Sequence, residues 1–352
     1  LDESDVLVWG HWEDGRSLPL VVREGGEVRL AYDWGAWSTE VLTEAYAVWH
    51  RQPLHTRLPV SYRRVPAGIR RSIAVRAQGR RKKKPVVFPS PPFDSGFEAL
   101  RSVVRRFTEI EPGEQLPSRI CLTHDIESAE GFGFVRRIAE IEKSYGLRSS
   151  WNVVAQDYAI DYRTLDWLAE NGFEIGLHGY CHDNRLIYLS EGQMRRRLDG
   201  CVGLIERYGM RGFRSPSWFR SPKLMRALRD YVDYDCSALD FDWYCPAGSG
   251  GVLTASPFEA FGLIEIPTTL PLEAMLVGAS GAEERRAIWR RKIDWIAAVG
   301  GQAVVVTHPD PTFSGTDEML GVYETFLGDL MLRFGAEWSL PGDLCAEVRG
   351  IA

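Results

Sequence analysis

Two histidines, His178 and His182, lie four residues apart and form the most informative pair in the chain. At this spacing two imidazoles project from the same side of a helical turn, so one metal ion can reach both. Residues that could take part in the same chemistry lie in three further segments, 123–127, 213–218 and 304–308. Four of the seven histidines belong to these segments or to the pair. The combination is typical of a metal-dependent hydrolase site.

Two carboxylates lie close together at the end of a predicted strand. Asp125 and Glu127 are two residues apart, so the alternation of side chains along a strand puts both on one face, with Ile126 turned into the core. His124 faces the opposite side and is expected to be a core or supporting histidine. A metal ion held by two neutral imidazoles and one carboxylate keeps an open position for water. Such a water is activated near neutral pH, and the second carboxylate can take its proton.

Polar residues in neighbouring segments could complete this chemistry. His308 follows the apolar run 303–306, which is typical of a buried strand, and it could protonate a leaving group. Arg214 could keep an aspartate ionised through charge-assisted hydrogen bonds. Asp242 could orient His308 in the way that a third group orients a catalytic base.

The elements that must position these residues alternate between strands and helices from about residue 117 onwards. The predicted strands are 120–122, 150–154, 174–177, 212–214, 233–238, 263–267 and 302–307. Stripes with helical periodicity begin at Phe134, Met194, Trp289 and Leu320, and a capping-box pattern at Ser190 precedes the second. Such β-then-α units imply parallel strands with crossover helices. About seven units in roughly 230 residues favour a closed or nearly closed (β/α) barrel over an open doubly wound sheet, which is the alternative.

The candidate residues coincide with the carboxyl ends of the predicted strands. Asp125 follows the first strand, His178 the third, Arg214 the fourth and His308 the last. A (β/α) barrel places its active site at this edge. The sequence therefore predicts that these side chains meet at one rim of the barrel.

The first 112 residues differ from the rest of the chain in their pattern of predicted strands and helices. They carry predicted strands at 6–9 and 18–22, a hairpin at Gly25 and Gly26, and a predicted helix over 39–50. A basic run from Arg80 to Lys84 and a proline-rich segment follow, which indicate a loop or linker. We expect an N-terminal α+β region over 1–112 and a (β/α) barrel catalytic domain over 113–352. The basic run is expected to be a solvated loop, and the alternative is peripheral contact with an anionic membrane or a substrate phosphate.

Composition limits the classes of protein. The hydrophobic content of 45% and charged content of 26% are those of a soluble globular protein. The net charge of −6 gives no reason to expect a nucleic-acid partner. Six cysteines without a C-x-x-C pair indicate free thiols in a reducing compartment. No run approaches the ~20 apolar residues of a transmembrane segment, and no signal peptide is visible, so a cytoplasmic protein is expected.

The same segments resemble, in order, the five motifs of the polysaccharide deacetylase family, also called the NodB-homology family or carbohydrate esterase family 4. The resemblance covers about residues 118–310. The family's Thr-Phe-Asp-Asp-Gly motif resembles Thr-His-Asp-Ile-Glu at 123–127, and its His-Ser/Thr-x-x-His motif resembles 178–182. Its Arg-x-Pro, Asp-Trp and strand-then-His motifs resemble 214–216, 242–243 and 306–308. The resemblance implies a distorted (β/α)7-type barrel.

The resemblance also implies a role for each matched residue. It implies that Asp125 is the catalytic base and that Arg214 braces it. It implies that His308 is the acid and that Asp242 tunes it. The backbone N–H near Ser217 would stabilise the oxyanion of a tetrahedral intermediate. The substrate pocket would be walled by two tryptophans, Trp218 and Trp243.

The metal ligands implied by the resemblance are His178, His182 and a carboxylate. Ile126 stands where the family has a metal-binding aspartate, and isoleucine cannot bind a metal. Family members with an Asp-x-Asp first motif have the ligand one residue later, which implies Glu127 as the third ligand here. Gly179 replaces the serine or threonine of the metal motif, which removes a hydroxyl that could support the ligands.

The sequence therefore predicts a metal-dependent hydrolase that removes the acetyl group from an N-acetylated sugar, whether free, nucleotide-linked or lipid-linked. Zinc is expected from two histidines and one carboxylate, and Co2+, Ni2+ or Mn2+ would suit the same ligands. Two alternatives stay open. One is a non-catalytic carbohydrate-binding barrel, motivated by Ile126. The other is a hydrolase of another non-peptide C–N bond, such as a formamide or a cyclic amide or imide.

Overall fold

A small N-terminal sheet precedes a large curved sheet that is surrounded by helices. The computed structural model describes residues 6–11, 15–31, 33–45, 118–240, 251–271, 281–311, 314–335 and 337–350, together with the single positions 52, 56, 97, 101 and 106. All structural statements below concern these residues. The basic run from Arg80 to Lys84 and the proline-rich segment lie outside them.

The N-terminal sheet has three antiparallel strands in the order β1-β2-β3. These strands are β1 (Val6–His11), β2 (Ser17–Glu24) and β3 (Glu27–Leu30). Gly25 and Gly26 both have positive φ angles, 58° and 87°, which a two-residue hairpin turn requires, so the predicted hairpin is confirmed. Helix α1 (Trp34–Leu42) begins earlier than the predicted helix over 39–50, because the Asp33 side chain caps it.

The large sheet has eight strands in the order β11-β4-β5-β6-β7-β8-β10-β9. All neighbours pair in parallel except β9 and β10, which are antiparallel. The strands are β4 (Ile120–Ile126), β5 (Ser149–Val153), β6 (Glu174–Leu177), β7 (Gly212–Phe213), β8 (Tyr234–Asp235), β9 (Phe258–Ala260), β10 (Leu263–Glu265) and β11 (Ala303–Thr307). The seven predicted strands are all present, with β6 at its predicted ends and the others with shifted ends, while the hairpin partner β9 was not predicted.

The curved sheet closes on itself through a short loop. Beyond β10, the backbone N–H groups of Thr269 and Leu270 donate to the Val304 carbonyl of β11, at 3.2 and 3.1 Å. The Thr269 hydroxyl also donates to the Gln302 carbonyl at 2.7 Å and accepts from the Val304 N–H at 2.9 Å. These bonds bring the β10 side of the sheet next to β11. The prediction of a nearly closed (β/α) barrel is therefore confirmed.

Eight helices of the described chain pack around this sheet. They are α2 (Phe132–Ser144), α3 (Tyr162–Glu170), α4 (Glu191–Asp199), α5 (Val202–Tyr208), α6 (Pro222–Leu228), α7 (Ala282–Val299), α8 (Asp317–Phe334) and α9 (Pro341–Val348). The capping box at Ser190 is present. The single stripe predicted after it forms two helices, α4 and α5. The chain turns at Gly200, where a Cβ atom would lie 2.7 Å from the Tyr180 ring.

Strand β4 links the core to the candidate site. Every residue of β4 is buried, although its sequence includes Thr123, His124 and Asp125. Buried polar groups are stable only with hydrogen-bond partners, so this strand must be surrounded by polar contacts as well as apolar ones. Among the residues that the structure describes, no helix has both the length and the apolar character needed to cross a membrane.

Candidate active site at the carboxyl edge of the barrel

Five of the candidate residues meet at the carboxyl edge of the sheet. Asp125 lies in β4, and Glu127 directly follows that strand. His178, Arg214 and His308 directly follow β6, β7 and β11. All five side chains are buried. Parallel strands end at the same edge, so residues up to 183 positions apart in sequence come together here.

The histidine pair is held by a loop. The prediction of a helical turn over 178–182 is wrong, because the chain after β6 has no helical hydrogen bonds there. Gly179 has a φ angle of 77°, which disfavours side chains, and a Cβ atom on it would lie 3.1 Å from Pro216. The backbone N–H of His182 donates to the Asp157 carboxylate. The two imidazole centroids are nevertheless 5.4 Å apart, so the loop brings the rings together without a helix.

The tautomer of His178 follows from one hydrogen bond. Its Nδ1 lies 2.9 Å from the backbone carbonyl of Arg214, and a carbonyl can only accept. Nδ1 therefore carries the proton, and the lone pair is on Nε2. Within the described chain, Nε2 is buried and has no hydrogen-bond partner. Burial lowers the pKa of His178 to about 4, despite the opposing effect of nearby Asp125, so the ring is neutral at pH 7.

Glu127, His178 and His182 form a group that could hold a metal ion. One ligand atom from each lies within 4.8 Å of the others. Oε1 of Glu127 is 2.7 Å from Nε2 of His182 and 3.5 Å from Nε2 of His178. Ligand atoms of a tetrahedral zinc ion lie ~3.3 Å apart, from bond lengths of 2.0–2.1 Å. The lone pair on His178 Nε2 and this spacing fit a divalent ion with only small side-chain movements.

Asp125 is held as a carboxylate next to this group. Its Oδ1 accepts hydrogen bonds from Nδ2 of Asn152 at 2.9 Å and from Nη1 of Arg214 at 3.2 Å. Burial raises the pKa of Asp125, but the guanidinium of Arg214 and the neighbouring His178 and His308 outweigh burial. The pKa of Asp125 therefore lies well below its usual range. Its other oxygen, Oδ2, is buried with no hydrogen bond among the described residues.

His308 lies beside the carboxylates of Asp125 and Glu127. Its Nε2 is 3.8 Å from Oδ2 of Asp125 and 3.6 Å from Oε1 of Glu127. The ring of Trp218 packs edge-on against it, with the centroids 6.1 Å apart. A small group that contacts both Oδ2 of Asp125 and Nε2 of His308 could therefore exchange protons with each of them.

The turn that carries Trp218 has an uncommon backbone. Ser217 and Trp218 both have left-handed φ angles, 52° and 56°, which non-glycine residues rarely adopt. The Ser217 hydroxyl accepts from Nδ2 of Asn184 at 3.1 Å, and Asn184 itself has a φ angle of 58°. Backbone strain of this kind clusters at functional sites. The structure thus puts Trp218 beside His308, with Ser217 next to it in the same turn, while Asp242 and Trp243 lie outside the described residues.

A buried polar network behind the site includes residues that the sequence did not indicate. His124, on the far face of β4 as predicted, bonds Thr307 through Nδ1 and Glu142 through Nε2, both at 2.7 Å. Glu142 also accepts from the hydroxyls of Ser149 and Tyr323, each at 2.6 Å. The sequence signal that could have revealed this network was Glu142, a carboxylate on the otherwise apolar face of α2. The network joins β4, β5, β11 and two helices directly under the candidate residues.

Comparison with solved structures establishes the fold. A candidate polysaccharide deacetylase from Mycobacterium smegmatis aligns with a TM-score of 0.54 and 17% identity, over 68% of this chain and 93% of that one. The chain has the polysaccharide deacetylase fold. A second candidate polysaccharide deacetylase, from Pseudomonas aeruginosa PAO1, aligns with a TM-score of 0.50 and 14% identity, over 66% of this chain and 91% of that one.

The same fold also occurs in a solved structure that is named for a different enzyme activity. The allantoinase PuuE aligns with a TM-score of 0.54 and 14% identity, over 75% of this chain and 98% of that one. No protein-family model matches the chain, and no curated protein matches its sequence. At these identities the similarity concerns the fold, so the chemistry must be argued from the side chains of this chain.

Proposed function

We propose that this protein is a metal-dependent hydrolase that removes the acetyl group from an N-acetylated sugar. One observation carries the proposal. A group able to hold a metal, formed by Glu127, His178 and His182, lies at the same rim as the Asp125 carboxylate and the His308 imidazole. Binding of a sugar alone would need neither a buried carboxylate–imidazole pair nor a set of metal ligands.

The metal ligands proposed here are the two histidines and Glu127. When bound, a divalent ion in this position would acidify a water molecule and polarise an amide carbonyl. The donor set of two nitrogens and one carboxylate oxygen favours zinc, and cobalt, nickel or manganese would suit it too. Glu127 replaces the shorter aspartate, and its extra methylene lets it reach both imidazoles from just beyond β4.

Asp125 is proposed as the base. Its Oδ1 is occupied by Arg214 and Asn152, so Oδ2 is the atom that takes a proton from the attacking water. Arg214 keeps the carboxylate charged and fixed, because its guanidinium is fully buried and also donates to Thr123 at 2.7 Å. A charged, oriented base is ready to react without reorganisation.

His308 is proposed as the acid. Its Nε2 lies 3.8 Å from Oδ2 of Asp125, so a leaving amine next to this base would be within reach of the imidazole. Protonation of that amine by a positioned imidazole contributes typically ~10²–10⁴-fold to such reactions. Trp218 would pack against the sugar or the acetyl methyl group, and the backbone near Ser217 would donate to the oxyanion. Asp242 and Trp243 remain proposed members of the site.

A second candidate is hydrolysis of a cyclic amide, and the fold shared with an allantoinase favours it. A cyclic amide needs the same attack on a carbonyl, but its leaving nitrogen stays attached to the product. The two candidates therefore share the base, the acid and the metal ligands. They differ in the small molecule that is released, since only deacetylation releases acetate.

A mass-spectrometric screen separates these candidates. Zinc-loaded protein is incubated with free, nucleotide-linked and lipid-linked N-acetyl sugars and, separately, with cyclic amides. We expect one sugar to lose one acetyl group, with acetate formed in equal amount. Asp125→Asn, which keeps the size of the side chain, serves as the inactive control. Turnover of cyclic amides alone would contradict the deacetylase proposal, and inertness of the zinc-loaded protein throughout would contradict both.

A further inference from the structure

One buried ion pair joins the N-terminal segment to the barrel. Glu44 lies two residues beyond helix α1, and both of its carboxylate oxygens accept hydrogen bonds from the guanidinium of Arg220. The two residues are only 5% and 3% exposed, and 176 positions separate them in sequence. Buried charges must be paired to be tolerated, so this pair fixes where the end of α1 lies on the barrel.

The guanidinium of Arg220 also contacts the turn that carries Trp218, next to the candidate site. Nη1 of Arg220 donates to the backbone carbonyl of Trp218 at 3.0 Å and to that of Ser237 at 2.9 Å. Trp218 is the residue whose ring packs against His308. Arg220 therefore ties the turn at Trp218 both to the end of β8 and to the N-terminal segment.

The turn is a single 3-10 turn over Pro216–Trp218, and its backbone angles are uncommon enough to need support from outside it. Ser217 and Trp218 are consecutive left-handed residues, an arrangement that persists only when surrounding contacts enforce it. Glu44 has a left-handed φ angle of 50° as well, so the chain beyond α1 is also bent to present its carboxylate. Glu44 and Trp218 thus both have uncommon backbone angles, and the hydrogen bonds of Arg220 to each of them stabilise these conformations.

The cavity at this junction is small among the residues that the structure describes. The cavity between Glu44, Arg220 and their neighbours Leu42 and Phe261 measures about 20 Å³. That volume accommodates roughly one water molecule. Among the described residues, the ion pair therefore serves as a contact that joins two parts of the protein.

We propose that Glu44 is a positioning residue for the active site. Through Arg220 it holds the turn of Ser217 and Trp218 in the conformation that packs on His308 and faces the substrate. The part of this inference that concerns catalysis rests on the proposed deacetylase function. The part that concerns the conformation of the turn does not, and the two parts are tested separately.

Hydrogen exchange of the full chain tests the conformational part. Glu44→Gln keeps the shape of the side chain and removes its charge, Glu44→Asp keeps the charge, and Glu40→Gln changes an exposed carboxylate of the same helix. We expect the amides of Trp218 and Phe219 to exchange about tenfold faster in Glu44→Gln. This is the change expected when the turn loses the stabilisation of about one hydrogen bond. Glu44→Asp should restore most of the protection, and Glu40→Gln should match the wild type. Faster exchange confined to residues 33–45 would overturn the proposal.

Steady-state kinetics test the catalytic part with the same variants. A residue that supports only global stability would lower the folded fraction, which reduces the apparent kcat and leaves KM unchanged. We expect Glu44→Gln to raise KM severalfold at unchanged zinc content, because the loosened Trp218 contacts substrate and not the metal ligands. An unchanged KM would overturn the positioning role. If the wild type released no acetate from any sugar, the proposed function would fail, and hydrogen exchange would still decide the role of Glu44 in the turn.

Discussion

Replacement of Arg214 by methionine tests how the site keeps its base charged. Arg214 and Asp125 are both buried, with Nη1 and Oδ1 3.2 Å apart. At an effective dielectric constant of about 20, unit charges at that distance interact by about 5 kcal/mol, which corresponds to about four pKa units. The hydrogen bond from Asn152 remains in the variant and relaxation recovers part of the loss. We therefore expect the pKa of Asp125 to rise by at least about two units.

Two measurements detect the raised pKa of Asp125 in Arg214→Met. In the zinc-loaded protein, the acidic limb of the pH–kcat/KM profile should move to higher pH, because the base is protonated over a wider range. In the metal-free protein, the unfolding free energy at pH 7 should fall by about 3–5 kcal/mol, the cost of a buried charge without its partner. The wild-type pKa is lowered, so Asp125 stabilises the fold at neutral pH, and this contribution disappears only as the pH falls below about 4. In Arg214→Met the folded pKa moves back towards the value of the unfolded chain, so this contribution shrinks and stability depends less on pH below about 4.

Arg214→Lys is the matched control. Lysine keeps a positive charge near Asp125 but loses the hydrogen bonds that Arg214 makes to Thr123 and to the Cys236 carbonyl. It should be less stable than the wild type while its acidic limb stays close to that of the wild type. If the pH profiles of Arg214→Met and the wild type coincide, the electrostatic reasoning about Asp125 is refuted.

Four further outcomes are expected. His308→Gln should lower kcat by about 10²–10⁴-fold while zinc binding, measured by calorimetry, stays unchanged; weakened zinc binding would place His308 among the ligands. His178→Asn should lose zinc affinity by at least about tenfold in the same titration, and equal affinity would exclude it as a ligand. Glu142→Gln should lower the unfolding free energy by about 1–3 kcal/mol in urea titrations, because an NH2 donor replaces one of the two oxygens that accept from the buried network, and an unchanged value would show that the network is not stabilising. Gly179→Ala should lower the melting temperature, since its φ angle is 77° and the added Cβ atom would crowd Pro216, and an unchanged melting temperature would contradict this.

The regular part of the fold could be predicted from the sequence. Strands such as β11 (Ala303–Thr307) are continuous apolar runs, and helices such as α8 (Asp317–Phe334) show helical periodicity, so both patterns follow directly from burial. The rim on which Asp125 and His308 meet follows from parallel strand order. The spacing of His178 and His182 was misleading, because a glycine with positive φ brings the rings together in a loop as well as a helix would.

Long-range polar contacts could not be predicted. The Glu44–Arg220 pair and the bonds of Glu142 depend on which elements become neighbours, and neither residue has a periodic pattern that marks its partner. The residues on which such contacts depend look like ordinary charged residues in a single sequence. The conformation of Ser217 and Trp218 was also hidden, since neither is a glycine and nothing local signals a left-handed backbone.

Titration of the metal-free protein with zinc tests the central claim most directly. The claim is that Glu127, together with His178 and His182, completes a metal centre beside Asp125. The account predicts that the wild type binds one zinc ion per chain. It also predicts that Glu127→Gln, which keeps the size of the side chain and loses its charge, binds at least about tenfold more weakly. A wild type that binds no zinc, or a Glu127→Gln variant with wild-type affinity, would contradict it.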